Sequence, residues 1–102
     1  MWIDMIYIYR GASTFNELLY NFDGLYVRTG GSSFFGEIVF TVKGNSIYRG
    51  QGTWDTPAYT IDGNYIRRGQ GFWSDVAFNI DGCYIRNSAS SWSGEIMYCL
   101  ES

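Results

Sequence analysis

IDGNYIRRGQGFWSDVAFN, residues 61–79, holds everything needed for one β-hairpin and the loop that leads to the next. Asp62-Gly63 is a hairpin-turn dipeptide, and alternating apolar and polar residues flank it on both sides. The same pattern runs through the chain. IDGCYIRNSASSWSGEIMYC begins at Ile80, FDGLYVRTGGSSFFGEIVFT at Phe22 and VKGNSIYRGQGTWDTPAYT at Val42, and a looser copy, IDMIYIYRGASTFNELLYN, begins at Ile3. Five copies of about nineteen residues account for nearly all of the 102 residues, so the chain reads as one repeat domain spanning 1–102.

Taking Asp62-Gly63 as a type I′ turn sets Ile61 opposite Asn64, Thr60 opposite Tyr65 and Tyr59 opposite Ile66. Successive strand residues face opposite ways. One face then carries Tyr20, Phe40, Tyr59, Phe78 and Tyr98, with Val27, Ile47, Ile66 and Ile85 as their cross-strand partners. Such aromatic–aliphatic pairs are a core signature. The other face carries Asn21, Thr41, Thr60 and Asn79 with Tyr26, Tyr65 and Tyr84, and reads as the solvent side.

The connection between hairpins is longer and equally regular. Gly11, Gly30, Gly50, Gly69 and Ser88 each stand four residues before an aromatic: Phe15, Phe34, Trp54, Trp73 and Trp92. The copies at Phe22 and Ile80 hold one extra residue after that aromatic, which a β-bulge would absorb. The chain opens on the outgoing strand of a hairpin and ends after an incoming one. Pairing the last strand with the first would close the array and remove both exposed edges. The fold expected is all-β: a closed antiparallel array of about ten short strands with quasi-fivefold symmetry. It reads as a barrel, with a small propeller-like ring or a β-prism as the alternatives.

Forty-six per cent apolar and twenty per cent aromatic residues exclude a disordered chain, and thirteen glycines against one proline suit many tight turns. A net charge of −3 argues against a nucleic-acid partner. No apolar run is long enough for a membrane span, and the first residues lack the basic start of a signal peptide. Cys83 and Cys99 fall on opposite faces by alternation, which predicts free thiols and a cytoplasmic location. In repeat length and aromatic richness the array is similar to bacterial cell-wall-binding repeats. It lacks their tandem tryptophans, and no binding residue carries over.

Chemistry is sparse. With no histidine the usual general base is missing, so no catalytic residue is expected. Asp4, Asp23, Asp62 and Asp81 recur, but Lys43 takes their place in one copy, and a turn supplies one carboxylate where calcium needs six to eight oxygens. Neither a metal nor a cofactor is predicted. Arg28, Arg67 and Arg86 share one repeat position, and Glu17, Glu37, Asp75 and Glu95, which recur past the loop aromatic, are their expected ion-pair partners across neighbouring strands.

The loop aromatics fit two roles: plugs that shield the ends of the array, or stacking platforms. The functional expectation is a non-catalytic binding module with multivalent, lectin-like carbohydrate recognition. Trp54, Trp73 and Trp92 would stack on the ligand, and Asp55, Asp75 and Glu95 would accept its hydrogen bonds. The alternative is a structural or protein-interaction domain that meets a partner or a second copy through Tyr26, Tyr65, Tyr84, Arg28, Arg67 and Arg86. No membrane partner is expected.

Overall fold

Among the described residues three hairpin turns begin with an aspartate and one with Lys43, and Asp23 captures its own turn. In a computed structural model describing residues 5–31, 36–87 and 94–102, the Asp23 carboxylate accepts from the backbone N–H of Leu25 at 2.9 Å and of Tyr26 at 2.7 Å. This ties the end of the incoming strand and leaves glycine to open the turn. Asp62 pairs with Tyr65 and Lys43 with Ser46, so Gly63-Asn64 and Gly44-Asn45 form the two-residue loops. Gly63 has φ +61°, and only glycines have positive φ among the described residues. That is the sign pattern of a type II′ turn with glycine first, not the type I′ turn expected for Asp-Gly. Gly44 and Gly82 repeat it, with φ of 62° and 61°.

The correction moves each pairing by two residues along the opposite strand and so leaves the faces unchanged. Ile61 pairs with Ile66, and Phe22 with Val27. The aromatic–aliphatic pairs lie between hairpins rather than within them: Ile8–Tyr20, Val27–Phe40, Ile47–Tyr59, Ile66–Phe78 and Ile85–Tyr98.

Ten strands result among the described residues: β1 (Ile6–Arg10), β2 (Leu18–Phe22), β3 (Tyr26–Thr29), β4 (Ile38–Lys43), β5 (Ser46–Arg49), β6 (Tyr59–Asp62), β7 (Tyr65–Arg68), β8 (Val76–Asp81), β9 (Tyr84–Arg86) and β10 (Ile96–Glu101). They run in sequence order around a closed antiparallel barrel. β1 and β10 make the seam, with Ile8 opposite Leu100 and Tyr9 opposite Cys99. The molecule is a thick disc of 35 × 35 × 24 Å. No helix among the described residues is long and apolar enough to cross a membrane.

Bulges are more general than the sequence suggests. Register shifts occur between β1 and β2, β3 and β4, β7 and β8, and β9 and β10, skipping Leu19, Val39, Ala77 and Met97. They fall in copies with and without the extra residue; the extra residues, Phe35 and Ser93, lie outside the described residues. The bulge adds local twist and aims a carbonyl at the loop. Gly30, Gly50 and Gly11 donate their N–H to the carbonyls of Leu19, Val39 and Met97 at 2.8 Å, and Gly69 donates to that of Ala58 at 2.7 Å.

Those glycines start loops that fold back over the outer face of the barrel. The polar row read as solvent-facing is therefore the most deeply buried part of the molecule: Asn21, Thr41, Thr60 and Asn79 are 0, 3, 4 and 1 % exposed. Burying a hydroxyl or amide is costly unless it is hydrogen-bonded. Here the side chains hold the loops. Thr60 Oγ1 donates to the Gly69 carbonyl at 2.7 Å and accepts from the Gly71 N–H at 3.0 Å. Thr41 does the same with Gly50 and Gly52, and Asn21 Nδ2 donates to the Gly30 carbonyl. Cys99, equally buried, takes this position beneath the first loop. Its burial, with Cys83 and Glu101 nearby, pushes the thiol pKa up, and neither cysteine is bonded.

Replacing Thr60 by valine leaves the Gly69 carbonyl and Gly71 N–H without their side-chain partner. The variant should lose about 1–3 kcal/mol in urea denaturation, and the Gly71 amide should exchange faster with solvent. Thr60→Ser should retain most of the stability. Equal stability of the valine and threonine proteins would refute this account of how the loops are held.

Candidate functional site

Because the loops turn outward, their aromatic residues do not close the ends of the barrel. Phe15, Trp54 and Trp73 are 99, 93 and 98 % exposed, so the plug reading is overturned for these three. The inner face is lined instead by the aromatics of the strands. Phe34 and Trp92 lie outside the described residues. Gly52, with φ +109°, supports the posture of Trp54: a Cβ there would come within 2.8 Å of the indole. In the first loop the Ser13 hydroxyl accepts from the Phe15 N–H at 3.0 Å. Asp55, Asp75 and Glu95 are all exposed. Phe72, half-exposed beside Trp73, was not anticipated.

The outer tyrosine–arginine face is organised differently from the expectation. Arg28 pairs with Asp23 at 2.6 Å, Arg67 with Asp62 at 2.8 Å and Arg86 with Asp81 at 3.1 Å. The partners are thus the turn aspartates of the same hairpin, not the acids past the loop aromatic; only Arg10–Glu17, at 3.1 Å, resembles the predicted pairing among the described residues. Arg67 Nη1 also donates to the Ser74 carbonyl and Arg86 Nη1 to that of Gly94, so each guanidinium joins its own turn to the end of the next loop. The three arginines lie over Tyr26, Tyr65 and Tyr84 at 5.1–6.0 Å from the ring centroids and are largely covered. A signal for this was present in the sequence. Where Lys43 replaces the aspartate, Tyr48 replaces the arginine five residues on. At the seam Glu101 and Tyr9 take the two places and meet at 3.3 Å.

A family model described as 6-fold beta flower protein matches residues 8–102. The chain belongs to the 6-fold beta flower protein family. No curated protein and no solved structure matches it. In this beta flower chain four tight-turn hairpins and the β1–β10 seam complete the ring, and the outward loops are its petals.

Inside the ring, side chains do not fill the barrel. A cavity of about 260 Å³ remains, lined by the five strand aromatics and their aliphatic partners. Neighbouring rings stand edge-on or tilted, with centroids 6.5 Å apart for Tyr20–Tyr98, 6.1 Å for Phe40–Tyr59, 6.2 Å for Tyr59–Phe78 and 6.5 Å for Phe78–Tyr98. Ten strands enclose more width than these rings can fill. At the petal end Arg10, Arg49 and Arg68 share the inner face with Tyr98, Phe40 and Tyr59.

Among the ion pairs, Asp23 yields a pH signature. Burial by itself would raise its carboxyl, but the Tyr26 N–H, the Arg28 guanidinium and the Leu25 N–H outweigh burial and hold the group below its usual range. A carboxyl held low contributes stability that is complete above its unfolded value, about 4, and is lost as pH falls through the folded value. Stability should therefore decline from about pH 4 downward, and Asp23→Asn should flatten that decline in denaturation series run at successive pH values. An acid limb identical in the two proteins would contradict the assignment.

Proposed function

We propose that this chain is a non-catalytic binding module that grips a repeating ligand, a carbohydrate polymer foremost, through several equivalent petals at once. The observation that carries the reading is the near-complete exposure of Phe15, Trp54 and Trp73 on loops that are themselves firmly held. A large aromatic left in water forgoes roughly 2–3 kcal/mol of burial, and covering it with the apolar face of a sugar ring recovers part of that. The indole also offers an N–H, and Asp55, Asp75 and Glu95 offer acceptors for ligand hydroxyls. Because hydrogen bonds from the barrel fix the petal backbone, little entropy is lost on ordering it at binding.

One exposed aromatic is a weak site. Several on a rigid disc act together, since the first contact raises the effective concentration of ligand at the others. The outer tyrosine–arginine face supports an interaction role less well, because its arginines are already engaged with Asp23, Asp62 and Asp81. A cytoplasmic location fits the two unbonded cysteines.

Binding to a panel of immobilised polysaccharides, compared with their soluble monomers, tests the proposal. The intact protein should retain on one polysaccharide class. Trp54→Ala or Trp73→Ala should weaken retention severalfold, and the double variant should lose most of it while its urea midpoint stays near that of the parent. Retention unaltered by the double substitution, or no retention on any polysaccharide, would overturn the reading.

A further inference from the structure

The deepest burial in this protein is polar and outside the barrel, whereas the apolar residues facing the lumen keep partial exposure. An apolar surface that the fold encloses but does not fill is a binding site in physical terms. We propose that the lumen is a second site, separate from the petals, that takes a small, neutral, predominantly aromatic molecule bearing no more than one or two hydrogen-bonding groups.

The observations define that ligand class. Size comes first: dry apolar cavities of about 150 Å³ take up benzene, so the 260 Å³ here suits a bicyclic molecule. Shape follows from the aromatics. Tyr20, Phe40, Tyr59, Phe78 and Tyr98 present edges and tilted faces around the cavity, and a flat ring between them would gain offset or edge-to-face contacts with several at once. Polarity is set by phenols alone, because every lining residue is aliphatic or aromatic and none is charged. Burial, with Tyr20 and Tyr59 close by, raises the Tyr98 phenol despite the opposing effect of Arg10, so it stays neutral and can donate or accept one hydrogen bond.

Charge at the rim does not favour an ion of either sign. Arg10 is paired with Glu17, and Arg49 lies over the Tyr59 ring at 6.0 Å. Backbone pairing sets Glu37 beside Thr29, Asp75 beside Arg68 and Glu95 beside Asn87. The strand ends at the mouth thus bring residues of both signs, three arginines and four carboxylates, and a neutral molecule crosses it at least cost.

Titration with N-phenyl-1-naphthylamine, a neutral fluorescent amine joining a naphthalene to a phenyl ring, tests the site on the full chain. Emission should rise and shift to the blue with saturation at one molecule per chain. Ile66→Trp, which fills the lumen, should weaken binding at least tenfold, whereas Trp73→Ala should leave it unchanged. Methyl NMR of the parent protein decides the matter if the tryptophan variant does not fold: the Ile8, Ile47, Ile66 and Ile85 methyls should shift with the probe, while Ile38 and Ile96, which pair with Arg28 and Arg86 on the outer face, should not. Absence of saturable binding, a shift confined to Ile38 and Ile96, or loss of the signal in Trp73→Ala would overturn the inference. None of these readouts depends on polysaccharide binding.

Discussion

In β2, β4 and β6 a single side chain holds the next part of the molecule in place. Thr41 and Thr60 each bind a loop at two backbone groups, and Asn21 binds its loop at the Gly30 carbonyl. The loop in return covers that side chain completely, so the hydrogen bonds form away from competing water, where they are strongest. Neither part is stable as placed without the other: an uncovered threonine would be an ordinary surface residue, and an unheld loop would have no reason to lie on the sheet. This reciprocity gives the barrel an outer layer without helices or a second sheet, and fixes the posture of Trp54 and Trp73.

The ion pairs serve the orthogonal direction. Each of Arg67 and Arg86 spans from the turn aspartate of its own hairpin to the returning end of the following loop, tying one hairpin to the next around the circumference. The aromatic–aliphatic contacts also run between hairpins. Cohesion therefore runs from hairpin to hairpin and not only within each one. A two-stranded hairpin alone is at best marginal in water, and the seam between β1 and β10 uses the same contacts, with Glu101 and Tyr9 replacing aspartate and arginine.

The repeat made the number of hairpins, the division of faces and the closure legible, because strand alternation survives an error in register. The register was not legible from Asp62-Gly63 as a dipeptide. Lys43 shows why: it pairs with Ser46 across Gly44-Asn45 as Asp62 pairs with Tyr65 across Gly63-Asn64, so the positive-φ glycine opens the turn whatever residue precedes it. The burial of Asn21, Thr41, Thr60 and Asn79 was hidden for a different reason. Their cover comes from a loop nine to eleven residues further on, and alternation along a strand carries no information about it. The choice between plug and platform for the loop aromatics was not legible either, since a residue type repeated in every copy suits both until the direction of the loops is known. The Asp–Arg pairs could have been found: the joint replacement by Lys43 and Tyr48 marks them.

Circular closure also turns copy number into a dimension. In a stacked solenoid another repeat adds length and leaves the cross-section alone; in a ring it widens the bore, because barrel diameter grows roughly linearly with strand number. Ten strands set the present bore at a width that the aromatics Tyr20, Phe40, Tyr59, Phe78 and Tyr98 narrow without sealing. Gene duplication or loss of a single hairpin would act on this architecture as a change of gauge, altering what passes or lodges at the centre while every local contact between neighbouring hairpins stays the same.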